Sequence, residues 1–334
     1  MEFFNFIGID ISKQTFDFAL IRMEDPSNVI SDQTSNNPSG IVRLQEFIKR
    51  QGLDMEKTLF CMEHTGVYCR LLSTYLTENH YHVWLEMPVQ IIRSLGLQRG
   101  KNDRIDAVRI ARYAMMKKDH AVLWQPPKEV LVQINDLLTL RERLVGSRKS
   151  LQQPIKELRD AGFLDSAKLI ESRCSSSLKA LEKEIVQIEK DLDQMINKDS
   201  NLKRLYKLAI SVSGIGKLTA LTLLYFTNGF TMYTSANQLA CYCGIAPFEY
   251  SSGTSIRGKA RVSHFANKRL KTLLHLAAMT AIICDKQISQ YYHRKINQGK
   301  NKMLVINAVR NKILHRLCAV INRGTAYEKD YQMA

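Results

Sequence analysis

Asp10, Glu63, Asp103 and Asp106 are the residues whose types and spacing point most directly to chemistry. Asp10 closes the apolar string Phe6-Ile7-Gly8-Ile9, where an aspartate is unfavourable unless a metal or a partner compensates it. Glu63 repeats the arrangement after Leu59-Phe60-Cys61-Met62 and is followed by His64-Thr65-Gly66. Asp103 and Asp106 stand three apart where a helical pattern begins, in Lys101-Asn102-Asp103-Arg104-Ile105-Asp106, so both carboxylates project from one face. Hard divalent cations take oxygen ligands, and two of them about 4 Å apart activate a water and stabilise the leaving oxygen of a phosphodiester. Each acid also has a plainer reading. Asp103 and Asp106 would favour a helix N-terminus electrostatically, and Asp10 would close a turn.

Two further groups lie downstream. Val212-Ser213-Gly214-Ile215-Gly216-Lys217 carries the Gly-x-Gly turn of a helix-hairpin-helix, in which Gly214, Gly216 and Lys217 would offer backbone N–H groups and a cation to a nucleic-acid phosphate. Its alternative is a glycine-bearing turn between two packed helices. Ser251-Ser252-Gly253 precedes a basic run of Arg257, Lys259, Arg261, Lys268 and Arg269. A serine hydroxyl attacks a phosphodiester only if its proton is removed and cations meet the developing charge, and such a run could supply the cations. By composition alone Ser-Ser-Gly reads more readily as a flexible loop.

The elements that must position these residues fall into three stretches. Phe4–Ile11, Thr15–Ile21 and Val29–Ser35 read as strands, followed by a helix over Ser39–Arg50, a strand at Thr58–Met62, a helix over Val67–Glu78 and a strand at Tyr81–Glu86 stopped by Pro88. Ile105, Val108, Ala111 and Met115 give helical spacing across Asp103–Lys117. Residues 1–125 are therefore expected to form an α/β layered domain, with a boundary at Trp124-Gln125-Pro126-Pro127. In residues 126–200, Leu178, Leu181, Ile185, Ile188, Leu192 and Met195 form a coiled-coil seam. Its antiparallel partner is expected over Lys128–Leu151, before Pro154 and Gly162 interrupt the chain. Residues 201–334 form the third stretch, mainly helical and strongly basic.

The charge is distributed to match. Basic and acidic residues balance at 15 each in 1–125, stand 17 to 14 in 126–250, and 16 to 3 in 251–334, which therefore carries most of the overall +16. A block of this kind attracts polyphosphate by counterion release, whereas a face kept basic for solubility needs no such asymmetry. The longest apolar stretch, Leu276–Cys284, is too short to span a bilayer, and the N-terminus lacks a basic start and a cleavable apolar run, so no membrane partner and a cytoplasmic address are expected. Seven cysteines without CxxC spacing read as reduced thiols.

The order Asp10, Glu63, Asp103, Asp106 resembles the DEDD site of RuvC-type Holliday-junction resolvases. The strings Gly8-Ile9-Asp10-Ile11-Ser12-Lys13, Glu63-His64-Thr65-Gly66 and Lys101-Asn102-Asp103-Arg104-Ile105-Asp106-Ala107 resemble transposases of the insertion sequence 110 family. The resemblance continues to the C-terminus. It implies an RNase H-like (RuvC-like) N-terminal domain that binds Mg²⁺ through the four acids. It also implies a catalytic serine before a glycine shortly after Gly244-Ile245-Ala246-Pro247, which falls on Ser252, with Ser251 as the adjacent competitor. Its further implications are double-stranded donor and target DNA, a phosphoserine intermediate, a bridge RNA as guide, and a homo-oligomer. Because recombination joins four strand ends, a dimer of dimers is expected. Three other readings remain: a resolvase or nuclease using the carboxylates alone, an actin-like sugar kinase, and a non-catalytic nucleic-acid binder. Gly8-Ile9-Asp10 resembles the first phosphate loop of the kinase fold, but no glycine-rich continuation follows it.

Overall fold

The computed structural model describes residues 2–63, 66–94, 103–233, 235–252, 256–263 and 266–328. Within helices and strands, the side chains of Asp103, Ser251, Ser252, Arg257 and Lys259 also lie outside the description. The chain separates into two compact units, Met1–Pro126 and Pro127–Ala334.

The first unit is a five-stranded sheet with helices. β1 (Asn5–Ile11), β2 (Thr15–Arg22) and β3 (Ile30–Ser35) form an antiparallel meander, then α1 (Pro38–Arg50), β4 (Thr58–Glu63), α2 (Val67–Glu78) and β5 (His82–Glu86) follow. α3 (Pro88–Ser94) and α4 (Asp103–Lys117) complete it. The strand order is β3-β2-β1-β4-β5, with β4 and β5 parallel to β1. This is the RNase H-like arrangement. Period-two alternation sends Ile7, Ile9, Phe16, Phe18, Phe60 and Met62 into a core with Ile41, Leu44, Phe47 of α1 and Leu72, Leu76 of α2. Phe6, Leu59, Cys61 and Trp84 form a second core with Ile110, Tyr113 and Ala114 of α4. α1 starts where the Asn37 side chain accepts the Gly40 N–H at 3.0 Å and Pro38 occupies the first turn. Pro88 does not simply stop the chain after β5. It begins α3, because proline tolerates a helical first turn that needs no N–H donor.

The second unit opens with a long antiparallel hairpin of α5 (Glu129–Asp160) and α6 (Leu164–Lys198). The expected break at Pro154 does not occur: α5 passes through it and ends at Asp160, and Gly162 (φ +84°) makes the turn. A proline in a helix interior forfeits one backbone bond, and here packing holds the flanks, with Ile155 buried and Arg159 paired to Glu171. Leu131, Ile134 and Leu138 meet Ile188, Leu192 and Ile196 along the seam, and Arg141 pairs with Glu189 at 2.7 Å.

α7 (Ser200–Ser211), α8 (Lys217–Phe226) and α9 (Ala236–Tyr242) follow, then a hairpin of β6 (Pro247–Ser252) and β7 (Ile256–Val262). α10 (Lys268–Cys284), α11 (Lys286–Asn297) and α12 (Lys302–Arg323) end the fold. Ile306, Val309, Ile313, Leu314 and Leu317 of α12 fill a core with Leu270, Leu274, Ala277, Ala278 and Ala281 of α10. Among the described residues no helix is long and apolar enough to cross a membrane.

Candidate active site

Asp10 and Glu63 lie at the carboxyl ends of the two central, parallel strands. Asp10 is the penultimate residue of β1 and Glu63 the last of β4, and the parallel register that pairs Ile9 with Met62 runs directly toward them. Gly8, two residues before Asp10 and so on the same face, explains how α4 crosses there. A Cβ on Gly8 would lie 2.1 Å from the Ala111 nitrogen and 2.3 Å from the Ala107 oxygen, so only glycine admits the helix. Asp106 immediately precedes that contact and Asp103, the first residue of α4, lies one turn earlier. The Asp103 side chain lies outside the described residues. Asp106 Oδ1 accepts from Arg109 Nη1 at 2.5 Å, a pair that occupies one of its oxygens.

Other residues that the sequence pattern did not single out share this face. Glu86 ends β5 in register with Glu63. Its two oxygens accept from the Met87 N–H at 2.7 Å and from Tyr113 Oη at 2.8 Å. Burial and the hydrogen bond to Glu86 hold the Tyr113 phenol protonated, pushing its pKa far up. Burial, then the charges of Glu86 and Glu63, push the Cys61 thiol well above its ordinary value, so this cysteine is no nucleophile. Asp17 on β2 faces Asp10 in the antiparallel register and is 5% exposed. The strand-end rule that found Asp10 and Glu63 would also have found Glu86, whereas Asp17 lies inside an alternating strand and gave no such signal.

Among the described residues no three His, Cys, Asp or Glu side chains stand close enough together to hold a metal ion. The donor chemistry nonetheless fits a hard divalent cation, since the face carries carboxylates and Asp17 is buried, with a neutral amide, Gln33 Nε2, hydrogen-bonded to it at 2.9 Å among the described residues.

In the second unit, Ser252 is the last residue of β6 and pairs through its backbone with Ile256, while Ser251 pairs with Arg257. Gly253 and the Ser251, Ser252, Arg257 and Lys259 side chains lie outside the described residues. β6, which includes both serines, and β7 form a two-stranded hairpin that the sequence pattern did not announce, short amid helices and with its register shifted between Phe248 and Tyr250. Its root is held by neutral groups. Gly244 (φ +65°) turns against Ala266, Asn267 N–H donates to the Tyr242 oxygen at 2.9 Å, and Asn307 Nδ2 donates to the Ile245 oxygen at 2.8 Å.

The other basic and glycine positions divide by role. Arg261 and Lys268 lie on the surface of the unit. Arg269 instead pairs with Glu142 at 2.8 Å and donates to Asn135, and Lys217 donates to the Glu189 backbone oxygen and pairs with Asp193, both at 2.7 Å. Gly214 (φ +91°) packs against α10, where a Cβ would lie 2.2 Å from the Ala277 oxygen. Gly216 caps α8 with open space around it.

Comparison with known proteins assigns both units. A family model described as Transposase, for the DEDD domain of IS110 elements, matches residues 7–163, and the model described as Transposase IS116/IS110/IS902 family matches residues 206–293. The pilin gene-inverting proteins of Moraxella lacunata and Moraxella bovis are each 29% identical over 328 residues, covering 97% of this chain and 98% of theirs. An uncharacterized protein of insertion element IS110 from Streptomyces coelicolor is 31% identical over 137 residues, 41% of this chain and 34% of its own. A DEDD domain implies dependence on a divalent cation. With two transposase models of this family matching successive stretches and relatives aligned along almost the whole length, the chain belongs to the IS110 family of transposases, enzymes that act on DNA.

Proposed function

We propose that this transposase cuts and rejoins double-stranded DNA through a phosphoserine intermediate on Ser252, with Mg²⁺ held by Asp10, Glu63, Asp103 and Asp106. The observation that carries the reading is the near full-length similarity to two proteins named for inverting a pilin gene, since inversion requires both cutting and rejoining. The Ser252 hydroxyl oxygen attacks a backbone phosphorus, and the bond to one deoxyribose oxygen breaks as that oxygen takes up a proton. The phosphodiester energy is kept in the serine ester, so the hydroxyl of a second strand can attack it and release the serine unchanged. Bound Mg²⁺ would supply Lewis-acid stabilisation of the charge that develops in this exchange.

The family resemblance supports a bridge RNA that pairs with donor and target DNA, and the surplus of 16 basic over 3 acidic residues in 251–334 suits either polyanion. An even-numbered assembly, a dimer of dimers, follows from the four strand ends to be joined. Residues 1–125, 126–200 and 201–334 then act as carboxylate domain, helical spacer and serine domain, and the work is done where the DNA lies, in the cytoplasm.

The test is incubation with Mg²⁺, a suicide DNA substrate and the RNA transcribed from the noncoding sequence flanking the gene, with mass-spectrometric mapping of any adduct. An adduct on Ser252 that disappears in Ser252→Ala supports the reading. An adduct on Ser251 moves the nucleophile, and DNA cleavage without an adduct replaces the reading with carboxylate-only hydrolysis.

A further inference from the structure

Asp17 is a carboxylate that the proposed chemistry leaves unused. Direct cross-strand neighbours project to the same side of a sheet with Cβ atoms about 5 Å apart, and like charges placed so are destabilising. The register sets Asp17 opposite Asp10, on the face that Gly8 opens to α4. At 5% exposure, Asp17 has little water to spread its charge. Its hydrogen-bond partner among the described residues is Gln33, its register neighbour on β3, which donates from Nε2 to Oδ2. A glutamine fixes the carboxylate without neutralising it, where a lysine or arginine would have cancelled its field. Among the described residues, the carboxylate set beside Asp10 in the register is thus hydrogen-bonded by a neutral amide and not by a cation.

We propose that Asp17 is a positioning residue whose fixed charge strengthens the hold of the carboxylate face on a divalent cation, acting on Asp10 through the field rather than as a ligand. The inference rests on the metal reading above and extends it to a residue outside the Asp10, Glu63, Asp103, Asp106 set. It predicts opposite effects on two properties: removing the charge weakens cation binding and relieves the metal-free fold. A merely structural aspartate would move neither property in that pattern.

The experiment uses the full chain with Mn²⁺ as probe, titrated by electron paramagnetic resonance, and thermal unfolding in EDTA. Asp17→Asn is expected to weaken Mn²⁺ binding by at least about tenfold, since a unit charge at this separation acts strongly on a divalent ion in a partly buried site. Its unfolding midpoint in EDTA is expected to equal or exceed that of the wild type. Gln33→Lys, placed at the exposed Gln33, neutralises Asp17 without altering either acid and is expected to weaken Mn²⁺ binding in the same way. Wild-type Mn²⁺ affinity in both variants, or a lowered EDTA midpoint for Asp17→Asn with affinity unchanged, overturns the inference. Asp10→Asn separates the two readings. If it abolishes Mn²⁺ binding while the other variants bind normally, only the role of Asp17 falls, whereas a wild type that binds no Mn²⁺ removes the metal reading and this inference with it.

Discussion

Replacing Gly8 by alanine adds one methyl group at the point where α4 crosses β1. The new Cβ would stand 2.1 Å from the Ala111 nitrogen and 2.3 Å from the Ala107 oxygen, both backbone atoms that cannot rotate away. Ordinary contact lies near 3.5 Å, so the helix or the strand must move by about 1.4 Å. Overpacking of this kind costs about 1–3 kcal/mol, and the upper end applies because no flexible side chain can absorb it. About 3 kcal/mol corresponds to roughly 6–12 °C in the midpoint of a unit of this size. The chemical consequence is larger. Asp106 is the residue before Ala107 and moves with the helix, and a displacement of about 1 Å in a catalytic group costs about a hundredfold in rate. Differential scanning calorimetry gives the stability, and single-turnover DNA cleavage with saturating Mg²⁺ gives the rate. A Gly8→Ala protein within about 0.5 kcal/mol of wild type would show that α4 does not approach β1 as described. A destabilised protein that still cleaves at the wild-type rate would remove the α4 acids from the chemistry.

Three further expectations test other parts of the molecule. Gly146 lies inside α5 with nothing within 4 Å of the point where an alanine methyl would stand, so Gly146→Ala should raise stability by about 0.5–1 kcal/mol in urea unfolding, and any loss refutes the open placement. Burial raises the pKa of Asp285, but the Ile288 N–H and Arg316, each hydrogen-bonded to it at 2.9 Å, outweigh burial and leave it lowered. A depressed folded-state pKa contributes stability that is present above the unfolded value of about 3.9 and lost as pH falls through the folded one. Asp285→Asn should therefore melt lower by about 1–3 kcal/mol at pH 7, with the gap to wild type closing below about pH 4, and a gap that persists at lower pH contradicts the charge assignment. The surface residues Arg261 and Lys268 should, on replacement by alanine, weaken DNA binding across all sequences and each reduce the salt slope by about 1. Arg269→Ala should instead lower stability through loss of its Glu142 and Asn135 contacts, and a change in salt slope without a change in stability would reverse that division.

The sheet was legible because its strands are short apolar or alternating runs bounded by turn residues, and Asp10 and Glu63 stood out as acids closing two of those apolar runs. What periodicity does not carry is which strands become neighbours. Asp17 acquires its interest only from the register that places it opposite Asp10. Glu86 obeys the same strand-end rule as Glu63, but four acids already complete the carboxylate pattern without it. The hairpin was legible as a seam, but Pro154 misled, since a proline's local cost is visible in sequence and the tertiary packing that holds α5 on both sides of it is not. Sequence shows the charge of Lys217 and Arg269 but not their ion-pair partners, Asp193 and Glu142, which lie far from them along the chain. The β6–β7 hairpin was hidden by its small size and by serine, glycine and charged residues that favour no single element.

The two units handle charge in opposite ways, and the difference bears on how the enzyme must work. In the first, the strand registers set acid beside acid, Asp10 by Asp17 and Glu63 by Glu86. In the second, structural ion pairs draw chiefly on the acids of α5 and α6: Glu189 holds Arg141, Glu182 holds Arg148, Glu171 holds Arg159, Asp193 holds Lys217 and Glu142 holds Arg269. Within 251–334 the supply of acids is three, and Asp285 is already committed to Arg316. The remaining cations of that stretch cannot be neutralised by acids of their own segment. The root of the β6–β7 hairpin is held by the neutral amides of Asn267 and Asn307, which consume none of that positive surplus. On the serine chemistry proposed above, a phosphodiester attacked by Ser252 would draw on basic residues of this stretch both for binding and for stabilising the charge formed in the attack. Raising the salt should therefore depress the rate at saturating DNA as well as the affinity, whereas a surface used for binding alone would lose only affinity.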